Sequence, residues 1–274
     1  NEIAEGQAWF QLYADQSGDF VDEIVGRAAA ADYKLLILTV DVPIPSVRIR
    51  DLRNGFAFPL RWGLSQLWDF ATHPHWSLAT LAHAIGNGMP RPMNYATSSG
   101  NTTFVRNASR ERADWSFLAE LRDRWHGKLV VKGVQCPDDA VRIKSMGADA
   151  IYVSNHGGRQ LNAAPAAIDS LGQIRRAVGT EMPLIFDGGV RNGEHVIKAL
   201  AKGADFVMIG RSAMYGLGAG GRTGLSDILD ITSREVSAVM GLLGHRNPAG
   251  INENCLVSSH DELPIHALPE KAAE

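Results

Sequence analysis

Cysteine is almost missing from this chain: Cys136 and Cys255 are the 2 cysteines among 274 residues. So few cannot build a disulfide framework or a thiolate metal centre, and both are expected as free thiols. Charge of one sign is missing too. Lys and Arg number 27 against 30 Asp and Glu, a formal net charge of −3. That removes the basic footprint of a nucleic-acid binder, and no nucleic-acid partner is expected. There is no run of about 18 uninterrupted apolar residues, so no membrane-spanning helix is expected. His73 and His75 lie close together, but no carboxylate or cysteine completes a ligand set, and no metal is expected. The glycosylation-type triplets at Asn101 and Asn107 have no secretory leader beside them and are taken as chance. What remains is a composition 45% hydrophobic and 21% charged, ordinary for a globular protein. The length suits one α/β barrel or two smaller domains.

Short apolar runs alternate with helix-like stretches. Strands are expected over residues 8–13, 35–40, 129–132, 150–153, 183–186 and 206–209. They are rich in Val, Ile and Leu with little polar alternation, as in parallel strands buried on both faces. Helices are expected over 18–30, 115–125, 137–146, 166–178, 193–202 and 225–243. Gly147, Gly179, Gly203 and Gly244 follow four of them and fit the left-handed residue that ends a helix. Gly147-Ala148-Asp149 and Gly203-Ala204-Asp205 repeat one loop, each closing a helix and launching a strand. The class is α/β with a parallel sheet. From 55 to 114 the alternation fails. Trp62, Trp68 and Trp76, with Pro59, Pro74, Pro90 and Pro92, fill a stretch too long for an ordinary connection. The tail from Pro264 to Glu274 is expected as a loose terminus.

The strand ends carry the chemistry. After the apolar run 150–153 comes Ser154-Asn155-His156-Gly157-Gly158-Arg159-Gln160-Leu161. A base-capable histidine and an arginine flank glycines that let the backbone turn and approach a ligand. That layout belongs to the carboxyl edge of a parallel sheet. Asp187-Gly188-Gly189-Val190-Arg191 and Gly210-Arg211 follow the next two strands. Glycines that free backbone N–H groups, with two arginines, suit a phosphate held by the last two strand-to-helix loops. Thr39 and Asp41 end another strand, Lys132 a further one, and Arg48 follows Asp41 by seven residues. Gln11 and Tyr13 are two apart on a strand and so share a side. Gly216-Leu217-Gly218-Ala219-Gly220-Gly221 matches a dinucleotide-binding pattern but follows no strand directly, and it is expected as a flexible turn.

In chain order, Thr39-Val40-Asp41, Val131-Lys132-Gly133, the histidine octapeptide, Asp187 through Arg191, and Gly210-Arg211 resemble the FMN-dependent α-hydroxy-acid dehydrogenase and oxidase family. The resemblance runs over nearly the whole chain. It implies a TIM (β/α)8 barrel with FMN as cofactor, and oxidation of an L-2-hydroxy acid, lactate- or mandelate-like, to the 2-oxo acid. By resemblance His156 is the base and Asp41 its partner; Tyr13, Arg48 and Arg159 bind substrate. Gln11, Thr39, Lys132 and Ser154 touch the flavin or its ribityl chain. Asp187, Gly188, Gly189, Arg191, Gly210 and Arg211 hold the ribityl and phosphate end. It further implies a quinone-type electron acceptor, a homo-oligomer (a tetramer), and a cytoplasmic protein with peripheral contact to the inner face of the cell membrane. Two alternatives stand beside it: an oxidase that reduces O2 to H2O2, and a non-catalytic phosphate-ligand-binding barrel fragment. Hydride and carbanion routes both fit the residues.

The chain departs from the family barrel in two ways. Six strands are counted where the family has eight, so the chain is expected to hold the last six. Such a remainder would leave two sheet edges open. The whole is expected as one FMN-binding βα-barrel domain over 1–274, with a long insertion over 55–114 before the fifth strand of the full barrel. Thr72-His73-Pro74-His75-Trp76-Ser77-Leu78 resembles the membrane-associated lactate and mandelate dehydrogenases, whose corresponding loop docks on the membrane. Leu64, Leu67 and Trp68 would share one helical face, with Arg61 beside it. The other expectation for this insertion is a lid over the active site.

Overall fold

The computed structural model describes residues 7–14, 18–46, 48–55, 63–88 and 112–257. The fold is built on β1 (Phe10–Tyr13), β2 (Leu35–Thr39), β3 (Lys128–Val134), β4 (Ala150–Val153), β5 (Leu184–Phe186) and β6 (Phe206–Val207). They form one parallel sheet in chain order. Parallel neighbours need crossovers, which helices supply: α1 (Gly18–Ala30) between β1 and β2, then α2 (Ile49–Arg53), α3 (Leu64–Thr72), α4 (Pro74–Asn87) and α5 (Trp115–Arg124) before β3. After that come α6 (Pro137–Ser145), α7 (Ala167–Val178) and α8 (Gly193–Ala201), one after each strand, and α9 (Arg211–Leu242) after β6.

Within the apolar strands a two-residue period sorts the side chains into layers. Leu36, Leu38, Leu129, Val131, Ile151, Val153, Leu184 and Phe186 point outward into the main core, where the helices pack. α1 contributes Phe20, Val21, Ile24, Val25 and Ala28 to it, the spacing of one helical stripe. Ile37, Val130, Ala150, Tyr152 and Ile185 point to the other face and form a separate inner cluster, joined by Trp9, Leu35 and Met208. Two residues further along, the inner parity turns polar: Thr39, Lys132, Ser154 and Asp187. Thr39 sits opposite Lys132 and Lys132 opposite Tyr152, so Ser154 and Asp187 lie one inner step beyond that pair. The site is therefore the polar cap of the inner layer, at the carboxyl ends of the strands.

The opposite face carries the repeated loop. Asp149 accepts hydrogen bonds from Arg122 Nη1 (2.9 Å) and the Leu129 N–H (2.9 Å), and pairs with Lys128 at 2.7 Å. Asp205 accepts from Arg175 Nη2 (2.5 Å) and the Leu184 N–H (2.7 Å). Each aspartate thus precedes one strand while accepting from a backbone N–H at the start of the strand before it. Each arginine comes from the helix before that earlier strand. Burial alone would raise the Asp149 pKa; Lys128, the Leu129 N–H and Arg122 outweigh it and hold the carboxyl below its ordinary 3.8. This face is built for stability.

Two expectations need correction. β1 and β6 are not buried on both faces; Phe206 is 49% exposed, because these are the sheet's edges. The edges nonetheless approach. The Trp9 and Phe206 rings lie 5.4 Å apart, so the sheet curls into a partial barrel. The glycine-rich stretch after β6 is largely helical rather than a turn. α9 starts at Arg211 and breaks only at Gly220 and Gly221, the latter at φ 58. A Cβ on Gly216 would meet the Gly224 carbonyl oxygen at 2.5 Å, so the helix arms on either side of the break touch backbone to backbone. Between 55 and 114, α3 and α4 are helical, and neither buries a residue. Phe56, Pro59, Arg61, Trp62, Pro90, Pro92, Asn101, Asn107 and the 264–274 tail lie outside the described residues.

Candidate functional site

A cleft of about 530 Å³ opens at the polar end of the inner layer. That volume is within the usual range for small-molecule sites. Gln11, Tyr13, Lys132, His156, Arg159, Asp187, Gly188, Gly189, Arg191, Gly210 and Arg211 line it, together with Gly157, Val190, Met208 and Met214. Thr39, Ser154 and Asp41 stand behind this lining and position it. Arg48 is half-buried just before α2 and does not line the cleft. Placing it required knowing the path of the 42–48 loop, which no periodicity fixes.

One side of the cleft is a histidine held by a carboxylate. His156 Nδ1 lies 3.1 Å from Asp41 Oδ1, with the two side chains 22% and 12% exposed. An ionised Asp41 makes Nδ1 the protonated nitrogen and leaves Nε2 as an acceptor. The backbone at His156 is left-handed, φ 54, uncommon for a non-glycine residue. Its N–H donates to Ser154 Oγ at 3.0 Å, which fixes the turn. Asp41 reaches His156 because β3 passes close beneath it at Gly133, where the register shifts. A Cβ on Gly133 would sit 2.5 Å from Asp41 Cβ. Asp41 Oδ2 is buried and has no hydrogen-bond partner among the described residues. Arg159 lies at the cleft's rim, 3.6 Å from Asp51.

The floor is a buried charge cluster. Lys132 Nζ donates to Ser154 Oγ at 2.9 Å and lies 3.3 Å from Asp187 Oδ2. Ser154 Oγ donates to Asp187 Oδ1 at 2.5 Å. Ser154, fully buried, thereby joins the lysine to the backbone of the histidine turn. Gln11 Nε2 donates to Thr39 Oγ1 at 2.8 Å. A further participant is Tyr152, whose hydroxyl donates to Asp187 Oδ2 at 2.8 Å. It is the single side chain with a polar tip in its strand, which is its signal in the sequence.

The far end fits a phosphate-bearing group. Gly188 and Gly189 adopt φ 114 and 82, and a Cβ on Gly189 or Gly210 would project into open space. Backbone there is bare toward the cleft, beside Arg191, Arg211 and the amino end of α9. Anions settle in such cradles. Arg211 Nη2 also donates to the Gly157 carbonyl at 3.1 Å, tying this end to the histidine turn. The residues present therefore fit a phosphate-bearing cofactor such as FMN.

The family model for FMN-dependent dehydrogenases matches residues 1–258. An L-lactate dehydrogenase of Caulobacter vibrioides is 37% identical over 261 residues, 90% of this chain and 66% of its own length. An L-lactate dehydrogenase of Acinetobacter baumannii is 36% identical over 260 residues, 92% of this chain and 66% of its own. The chain thus spans just under two thirds of these relatives. Among solved structures, the monotopic membrane protein (S)-mandelate dehydrogenase superposes with a TM-score of 0.82 at 34% identity, over 90% of this chain and 65% of that one. A putative lactate oxidase of Pediococcus acidilactici gives 0.64 at 33% identity, over 90% and 58%. No helix among the described residues is long and apolar enough to cross a membrane. The chain belongs to the FMN-dependent dehydrogenase family.

Proposed function

We propose that this chain carries the FMN site and catalytic base of an enzyme that oxidises an L-2-hydroxy acid, lactate- or mandelate-like, to the 2-oxo acid. One observation carries this: a single cleft joins a carboxylate-held histidine, a buried lysine and a glycine–arginine cradle. Bound FMN supplies the acceptor for two electrons. His156 Nε2 takes a proton from the substrate. Asp41 keeps the ring oriented and stabilises the imidazolium that results. Arg159 binds the substrate carboxylate, with Tyr13 also lining the cleft. Lys132 places positive charge where the reduced ring gains negative charge. Arg191 and Arg211 hold the phosphate.

Two arginine variants separate the ends of the cleft. Arg211→Met should weaken FMN binding tenfold or more in a fluorescence titration, because a charge-assisted hydrogen bond is worth about 1.5–3 kcal/mol. Arg159→Met should leave FMN bound and raise the substrate concentration needed for half-maximal flavin reduction. Exchanged phenotypes would mean the ligand lies the other way round. A protein that takes up no FMN would overturn the cofactor reading altogether.

The acceptor is inferred from α3 and α4. Leu64, Leu67, Trp68, Trp76, Leu81 and Ile85 are between 51% and 88% exposed. Phe70 stacks on Trp76 at 5.6 Å, which holds the two helices together. Apolar surface on this scale marks an interaction site, and one relative is described as a monotopic membrane protein. These helices would lie in a membrane interface and bring the flavin near a quinone. The parent protein should sediment with anionic phospholipid vesicles. A Leu67→Ser, Trp68→Ser double variant should lose most of that binding yet keep flavin reduction by substrate. A parent that stays in the supernatant would favour a lid over the cleft, and with it an acceptor such as O2.

A further inference from the structure

Tyr152 is an odd occupant of the inner layer. It is 3% exposed and packs among Ile37, Val130, Ala150 and Ile185. A phenol in apolar surroundings needs a partner for its hydroxyl. Here the partner is not a backbone carbonyl but the charged end of Asp187, at 2.8 Å. Burial, and then the Asp187 charge, push the phenol's pKa well above its ordinary 10.0, so it stays protonated and donates to the carboxylate. The Lys132 ammonium sits over the same ring, 4.6 Å from its centroid.

The demands on Asp187 decide what this does. Oδ1 takes the Ser154 hydroxyl at 2.5 Å, and Oδ2 takes the Tyr152 hydroxyl at 2.8 Å. The lysine, with a formal charge to offer, is left at 3.3 Å from that same Oδ2. Two neutral donors therefore compensate the carboxylate first. Lys132 makes its shorter bond to Ser154 and keeps its remaining capacity toward the cleft it lines. Without the phenol hydroxyl, Asp187 would bear more uncompensated charge and draw the ammonium closer. Both changes make the floor of the cleft more negative.

We propose that Tyr152 is a positioning residue that anchors Asp187 and so leaves the Lys132 charge available to a reduced, anionic flavin. It acts through Asp187 and Lys132 and touches no substrate. The inference rests on FMN occupying the cleft. Tyr152→Phe removes one oxygen and keeps the ring, so packing and the contact of Lys132 with the ring persist. In the FMN-loaded protein, oxidised FMN should bind within about threefold of the parent, and urea unfolding should shift little. Reduced FMN should lose about tenfold of its affinity relative to oxidised FMN. For a two-electron couple that ratio corresponds to a midpoint potential lower by about 30 mV, measured by equilibration with a reference dye. Tyr152→Met, which keeps neither ring nor hydroxyl, should lower it at least as far.

A parent that binds FMN, with both variants at the parental potential, would overturn this inference and leave the cofactor reading intact. A parent that binds no FMN would overturn both. A potential that falls in the Met variant alone would show that the ring, not the hydroxyl, matters, and would also sink the proposal.

Discussion

His156→Gln protein should keep its FMN and yet be reduced by an L-2-hydroxy acid about 10²–10⁴-fold more slowly, the usual cost of losing a general base. Glutamine can still donate from its amide to Asp41, so the carboxylate 3.1 Å away need not be left unpartnered. What it lacks is a nitrogen that accepts a proton near neutral pH. The backbone must stay at φ 54, which costs a non-glycine residue about 1–2 kcal/mol, whichever of the two side chains is present. The turn should therefore survive, because Ser154 Oγ still holds its N–H. The check is anaerobic single-turnover reduction followed by flavin absorbance. Reduction at the parental rate would remove His156 from the chemistry and leave the cleft as a binding site only.

The sheet was legible because it is parallel and its middle is buried. The runs at 35–39, 150–153 and 184–186 are short, apolar and bounded, and nothing competes with a strand there. The edges were harder. β6 pairs over two residues, although its apolar run continues to Ile209, since hydrogen bonding needs a neighbour and not only a pattern. The glycine-rich stretch misled for a related reason. Glycine lowers helix propensity, but docking of one arm on the other at Gly216 and Gly224 outweighs it, and the break falls only at Gly220 and Gly221. The insertion showed as a failure of alternation, yet its two helices could not be delimited, because neither buries the stripe that usually marks a helix.

For the site, the residue types came from strand ends and their grouping from parity. Asp187 and Lys132 are recognisable singly as polar residues closing apolar runs. That Tyr152 and Ser154 divide the Asp187 carboxylate between them depends on how β4 and β5 align across 33 to 35 residues of chain, which no local signal contains. Arg48 shows the same limit from the other side. Its charge was visible, but the loop that carries it was not, and it lies off the cleft lining.

Gly133→Ala should be the most damaging small substitution outside the reacting groups. The residue sits in the β3 irregularity at φ 101, a conformation that L side chains rarely adopt. Forcing alanine there costs about 1–3 kcal/mol of stability from strain alone. The added methyl would also lie 2.5 Å from Asp41 Cβ and 2.6 Å from Cγ, so either the strand or the carboxylate must move. A displaced Asp41 no longer holds His156 Nδ1, and misplacement by about 1 Å can cost about 10²-fold in rate. Gly147→Ala is the matched control. Gly147 has φ 81, and its nearest neighbour to an added Cβ is Arg122 Cδ at 3.7 Å, an ordinary contact at the far end of the strands. Both variants should unfold at lower urea concentration than the parent. Only the Gly133 variant should reduce its flavin more slowly, by about 10²-fold if the pair is broken. Equal rates in the two variants would show that Asp41 tolerates the shift, and that the closeness of β3 to Asp41 serves packing rather than catalysis.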